Sequence, residues 1–174
     1  MVQKIGVIGA GLMGNGIAHV FALAGYDVVL ADVAEDRLAK AMGQMERNMD
    51  RQVRRSLIDD LTKAEALNRI RTTIDYETFS DCDIVIEAAT ENETVKRQIF
   101  EKLVPYLRPD ALLATNTSSI SITRLAASTD RPGRFMGVHF MNPVPMMNLV
   151  ELIRGIATEE ETVAIFREIT QKLG

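Results

Sequence analysis

Residues 4–32 read KIGVIGAGLMGNGIAHVFALAGYDVVLAD, and the fold follows from how this stretch is punctuated. Residues 4–9 are short, apolar and β-branched and end in glycine, the pattern of a buried parallel strand. Residues 12–24 carry helical spacing and stop at Gly25, a C′ glycine. Residues 27–32 (DVVLAD) form a second buried strand, so the stretch is one βαβ unit. Its first turn, Gly9-Ala10-Gly11-Leu12-Met13-Gly14, is G-x-G-x-x-G. Such a motif is weak alone and strong where it closes a strand, opens a helix and is followed by an acid at the next strand end. Gly9 permits the tight turn, Gly11 lets backbone approach a pyrophosphate, and Gly14 lets helix and strand pack closely. The helix start offers free N–H groups and a positive dipole end to phosphates. Asp32, 18 residues after Gly14, is placed to bind both ribose hydroxyls and would repel a 2′-phosphate. The nearest following arginine is Arg37, not an immediate neighbour, so NAD is expected rather than NADP. FAD is the rival occupant of such a turn.

The rest of the chain extends this unit. Residues 35–55 are helical, with Leu38, Met42, Met45 and Met49 at steps of three and four. Thr62-Lys63-Ala64-Glu65 has the form of a capping box opening another helix. Together they predict a helical insertion over about 35–70, after the second strand, of the kind that often overlies a site. Strands are expected at 69–74, 83–88, 111–115, 134–140 and 149–153, and helices at 93–107, 122–127 and 159–173. The alternation predicts a single α/β domain over residues 1–174, a doubly wound Rossmann-type, mostly parallel sheet.

Bulk properties narrow the partners. The 174 residues carry a net charge of −4, so no basic field draws in nucleic acid. No apolar run reaches the length of a membrane span, and the chain enters its first strand without a charged leader. The single cysteine, Cys82, precedes the apolar run Ile84-Val85-Ile86 and reads as a buried thiol. It excludes an internal disulfide and a cysteine-based zinc site, and no metal is expected. A reducing, cytoplasmic setting is the expectation.

Open α/β sheets place their sites at the carboxyl ends of strands. His139 lies there, near the end of 134–140 and just before Asn142-Pro143. A histidine with its ordinary pKa of about 6.5 can take a hydroxyl proton at neutral pH, although a satisfied core histidine fits the position as well. Glu151 is an acid inside the apolar run Leu149–Ile153, and a buried carboxylate needs a partner. An imidazole N–H on a neighbouring strand would serve; the alternative is a side chain facing solvent at a sheet edge. Asn116-Thr117-Ser118-Ser119 follows another strand and offers groups for a substrate oxygen or a nicotinamide ribose, or simply a turn and helix cap. His19, inside the first helix, reads as structural or solvent-facing.

Four segments, IGVIGAGLMGNGIA (5–18), DIVIEAATEN (83–92), ATNTSSISIT (114–123) and GVHFMNPVPMMNLVELI (137–153), resemble the L-3-hydroxyacyl-CoA dehydrogenases, often called 3-hydroxybutyryl-CoA dehydrogenases in bacteria. The resemblance implies reversible NAD-dependent oxidation of an L-3-hydroxyacyl-CoA to a 3-ketoacyl-CoA. It implies that His139 is the general acid/base, Glu151 its orienting partner, and Ser118 the group on the substrate 3-oxygen. Asn142 would lie near nicotinamide and substrate, Glu91 and Lys96 along the cofactor groove, and Asp32 on the adenosine ribose. Asn48 and Arg55 would touch the nucleotide end of the acyl-CoA, with a solvated helix face as the alternative for the arginines around them. Family members continue into a C-terminal helical domain that completes the cleft and makes a homodimer. That domain is absent from this sequence, so cofactor binding with feeble turnover is expected, and Met141, Met146 and Met147 are either interface or core. The competing readings are a related dehydrogenase with a non-CoA hydroxy-acid or polyol substrate, and a non-catalytic dinucleotide-binding module.

Overall fold

The computed structural model describes residues 1–174. Its strands are β1 (Lys4–Ile8), β2 (Asp27–Ala31), β3 (Ile70–Thr73), β4 (Ile84–Glu87), β5 (Leu112–Thr115), β6 (Phe135–Phe140) and β7 (Val150–Arg154). They form one sheet in the order β3-β2-β1-β4-β5-β6-β7. All neighbouring pairs are parallel except β6 and β7, so the seventh strand is an antiparallel edge. The order reverses between β1 and β4, which opens a crevice at their carboxyl ends. No helix is long and apolar enough to cross a membrane.

The helices are α1 (Leu12–Leu23), α2 (Glu35–Arg54), α3 (Asp60–Asn68), α4 (Glu93–Leu103), α5 (Ile122–Ala127) and α6 (Glu160–Gln171). Side chains alternate across each strand, so the sheet has two apolar faces. Ile5, Val7, Ile84 and Ile86 meet Ile17, Phe21, Met45, Met49 and Phe166 on one face. Ile8 and Val85 meet Phe79, Phe100, Leu125 and Phe135 on the other. On α2 the fully covered stripe is Leu38, Ala41, Met45 and Met49; Met42 is only partly covered. Each methionine so buried contributes about 2 kcal/mol. Gly25 closes α1 with a φ of 94°, as its position after the helix requires.

Two local expectations are corrected. The capping box at Thr62–Glu65 does not form, because α3 begins three residues earlier than that box requires. Asp59 is its cap and accepts the Thr62 N–H at 2.7 Å. The helix expected over 93–107 ends at Leu103 and tightens into a 3₁₀ turn at Val104–Tyr106, where Pro105 lacks the N–H that α-helical continuation needs. Two further 3₁₀ turns, Tyr76–Asp81 and Val144–Met146, carried no sequence expectation. Cys82 is buried, and burial pushes its thiol up to about 12. Met146 and Met147 are exposed, while Met141 is half-buried.

Candidate active site

The glycine turn sits at the carboxyl end of β1, in the crevice. Gly9 has a φ of 100°, and a Cβ there would stand 2.6 Å from the Ala89 Cα. A Cβ on Gly14 would collide with the Gly9 carbonyl oxygen, whereas one on Gly11 would meet nothing within 4 Å. The three glycines thus divide into turn, close packing and open approach. The N–H groups of Leu12, Met13 and Gly14 donate to no protein acceptor, and the first turn of α1 holds no acid. An anion with two phosphates fits this cradle.

Asp32 follows β2, with its side chain 9% exposed. Its Oδ2 accepts the Ala10 N–H at 2.8 Å and its Oδ1 the Val33 N–H at 2.7 Å, which fixes the carboxylate beside the turn. Arg37, five residues on and one turn into α2, brings its guanidinium to 3.6 Å from Oδ1 while staying 66% exposed. Gly9, Asp32, Arg37 and Ala89 form a ridge between two cavities. One, of about 900 Å³, runs past Val33, Ile74, Tyr76 and Thr90. The other, of about 730 Å³, lies between α1, α2 and the segment after β6, and is lined by Lys40, Gln44, Asn48, Asn142 and Pro143 among others. The Asn15 side chain donates to the Ala41 carbonyl at 2.8 Å and ties α1 to α2 at the floor of this second cavity.

His139 and Glu151 are direct cross-strand partners in the β6–β7 ladder. The Nδ1–Oε1 separation is 3.5 Å, an ion-pair distance when the ring is protonated. Glu151 is not the buried carboxylate that its apolar run suggests, since its side chain is 52% exposed on the edge strand. It meets the histidine and faces solvent at once. The histidine is 22% exposed, one residue before the end of β6. Asn116 fixes that strand end, because its Oδ1 accepts the Phe140 N–H at 2.9 Å.

Ser118 is exposed after β5, and its hydroxyl is engaged by no other protein group. Glu91 braces this turn by accepting the Thr117 hydroxyl at 2.8 Å and the Ser119 hydroxyl at 3.5 Å. Asn48 lines the 730 Å³ cavity; Arg55 does not, and lies exposed just past α2. The two are seven residues apart, hence on one helix face two turns apart. Lys96 is not on a groove wall at all. It is fully buried, with its ammonium 2.5 Å from Glu87 and 3.0 Å from the Thr115 hydroxyl.

A family profile described as "3-hydroxyacyl-CoA dehydrogenase, NAD binding domain" matches residues 4–174. The chain belongs to the 3-hydroxyacyl-CoA dehydrogenase family. It is 56% identical over all 174 residues to a 3-hydroxybutyryl-CoA dehydrogenase of Bradyrhizobium diazoefficiens, of which it covers 59%. A probable 3-hydroxybutyryl-CoA dehydrogenase of Deinococcus radiodurans is 46% identical, with 99% of this chain and 62% of the relative covered. The crystal structure of (S)-3-hydroxybutyryl-CoA dehydrogenase from Ralstonia eutropha superposes with a TM-score of 0.98 at 42% identity, covering 100% of this chain and 62% of that one. The chain therefore spans about three fifths of these relatives. It matches the NAD-binding domain of that family, on a Rossmann-type sheet.

Four residues of this domain take positions that the sequence does not signal. Arg37 was judged distant from the ribose acid by counting along the chain, but one helical turn folds it back onto Asp32. Asn116 and Thr117, which the sequence offers for a substrate oxygen, a nicotinamide ribose or a helix cap, brace the backbone instead: one pins β6 and the other is held by Glu91. Glu87 carried the same signal as Glu151, an acid in an apolar strand, and it is the one that is fully buried.

Proposed function

We propose that this chain is the cofactor-binding and base-bearing domain of an NAD-dependent dehydrogenase that interconverts L-3-hydroxyacyl-CoA and 3-ketoacyl-CoA. The observation that carries the reading is the His139–Glu151 cross-strand pair at the carboxyl edge of the sheet that holds the glycine turn. Gly9, Ala10, Gly11, Leu12, Met13 and Gly14 would cradle the pyrophosphate and Asp32 the adenosine ribose. When bound, NAD supplies the hydride acceptor. His139 takes the hydroxyl proton in oxidation and returns it in reduction. Glu151 orients the ring and stabilises its charged form, as a carboxylate does in other acid/base pairs. The free Ser118 hydroxyl binds the substrate 3-oxygen, and Asn142, at the mouth of the 730 Å³ cavity, lies near the reacting groups. The cavity along Lys40, Gln44 and Asn48 suits the anionic end of an acyl-CoA, and Arg55 extends that face. Glu91 belongs to the cofactor side through its hold on the Ser118 turn. Homodimer formation through a second domain and a cytoplasmic setting belong to the same reading.

The test is titration of this chain with NADH and NADPH, followed by acetoacetyl-CoA-dependent NADH oxidation, with the second domain restored, in the parent and in His139→Ala. NADH should bind more tightly than NADPH, and the variant should bind NADH normally while losing about 10²- to 10⁴-fold in turnover. Hydride transfer unchanged by His139→Ala would refute the acid/base assignment. Absence of any acetoacetyl-CoA dependence would point to a non-CoA hydroxy acid or to a binding module.

A further inference from the structure

The helical insertion between β2 and β3 stands outside the sheet, so no strand register sets how far α2 lies from α1. That distance is the width of the 730 Å³ cavity, whose wall on the α2 side is Arg37, Lys40, Gln44 and Asn48. The buried stripe behind this wall is Leu38, Ala41, Met45 and Met49. Methionine adapts to shifted neighbours and specifies no single register. Lys63 of α3 pairs with Asp50 of α2, but α3 belongs to the same insertion.

Two polar contacts cross from α1. The Asn15 amide donates to the Ala41 carbonyl at 2.8 Å, and His19 Nε2 stands 2.8 Å from Gln52 Oε1. An amide oxygen only accepts, so the imidazole carries its proton on Nε2 and donates it. Asn15 and His19 are four residues apart, on one face of α1. Ala41 and Gln52 are eleven residues apart, three turns and about 16 Å along one face of α2. The two contacts therefore grip α2 on either side of Gln44 and Asn48. The Asn15 contact lies at the end near the glycine turn. The His19 contact lies at the far end, and neither His19 nor Gln52 lines the cavity.

Stability does not explain a histidine here. His19 is fully buried and its Nδ1 meets no partner, a loss that an apolar side chain would avoid. What the imidazole adds is a directional contact to one point on α2.

We propose that the His19–Gln52 contact holds the C-terminal half of α2 where Gln44 and Asn48 meet the nucleotide end of an acyl-CoA, and so sets affinity for the CoA thioester without touching it. The proposal rests on the acyl-CoA reading of the cavity. His19 and Gln52 are positioning residues; the groups that meet the ligand are those of the wall.

The test uses the enzyme with its second domain restored and two substrates, acetoacetyl-CoA and acetoacetyl-pantetheine, which lacks the nucleotide. His19→Leu removes the contact from the core side, and Gln52→Leu removes it from a half-buried position on α2. His19→Gln keeps an N–H at nearly the reach of Nε2. In both leucine variants KM for acetoacetyl-CoA should rise roughly tenfold, the worth of one hydrogen bond to a charged group. KM for acetoacetyl-pantetheine, kcat and NADH affinity should stay at parent values, and His19→Gln should recover the parent KM. General loosening of the fold would instead change both thioesters alike. Parent-like KM for acetoacetyl-CoA in either folded leucine variant, or equal losses on the two thioesters, overturns the proposal. Failure of both leucine variants to fold overturns it as well, since the contact is then a stability element. A parent that does not distinguish the two thioesters would strike the acyl-CoA reading of the cavity itself.

Discussion

Gly16 lies one turn into α1, with the 3₁₀ turn Val144–Met146 directly against it. A Cβ at Gly16 would stand 2.6 Å from Val144 Cβ, 2.9 Å from its Cγ2 and 3.6 Å from Pro145 Cδ. Optimal carbon contacts are about 3.5–4.0 Å, so Gly16→Ala requires the turn to retreat from the helix by about 1 Å. Overpacking of this kind costs about 1–3 kcal/mol. Alanine returns about 1 kcal/mol through its better helix propensity. The net loss is then about 0–2 kcal/mol, a fall in Tm of up to about 8 °C for a domain of this size. Function should suffer more than stability. The displaced turn follows Asn142 and Pro143 and forms one wall of the 730 Å³ cavity, and a misplacement of about 1 Å can cost 10²-fold in rate. The assays are a thermal melt, an NADH titration and acetoacetyl-CoA-dependent NADH oxidation. We expect a modest drop in Tm, near-normal NADH affinity and a large loss of turnover. Val144→Gly, which removes the clashing Cβ, should restore turnover to the Gly16→Ala background where Val144→Ala does not. A rise in Tm of about 2–4 °C with unchanged turnover would mean that Val144 yields freely, and the reasoning would fail.

Two further outcomes follow from buried or paired groups. His19 is fully buried, with Nε2 2.8 Å from the Gln52 side-chain Oε1 and Nδ1 unpartnered, and burial lowers its pKa from 6.5 against the opposing pull of Gln52. The unfolded chain therefore takes up this proton first, so the stability is intact above pH 6.5 and declines as pH falls from there toward the lowered folded value. Urea midpoints should drop over that window, and His19→Gln should flatten part of the drop; equal slopes in both proteins would exclude His19 as the cause. Arg37 offsets the charge of Asp32 from a largely exposed position, so Arg37→Ala should weaken NADPH more than NADH, by up to about fivefold. Paired titrations in which the NADH preference narrows would contradict that role.

How far a residue's role was legible depended on whether its partner is near in sequence. The glycine turn and Asp32 are joined by one βαβ unit whose geometry is the same wherever it occurs, so the roles of Gly9, Gly11 and Gly14 could be assigned in advance. His139 and Glu151 are joined by an antiparallel ladder, and the facing register was an expectation that only strand pairing could test. Burial was less legible than position. Glu87 and Glu151 look alike in sequence, each an acid in an apolar strand. Their environments differ because β4 lies in the middle of the sheet and β7 at its edge, and strand order is not written locally. Lys96, which the resemblance puts along the cofactor groove, is buried against Glu87 for the same reason.

Local patterning alone therefore determined the α/β class, the helical insertion, the glycine turn and the acid placed beside it, because each depends on periodicity and backbone sterics within a few tens of residues. Tertiary structure decided which carboxylate is buried, that Arg37 folds back onto Asp32, and that Gly16 gives way to Val144 rather than to solvent. Those facts arise where segments distant in sequence compete for the same few ångströms, and the outcome is set by sheet order and packing that no single segment encodes.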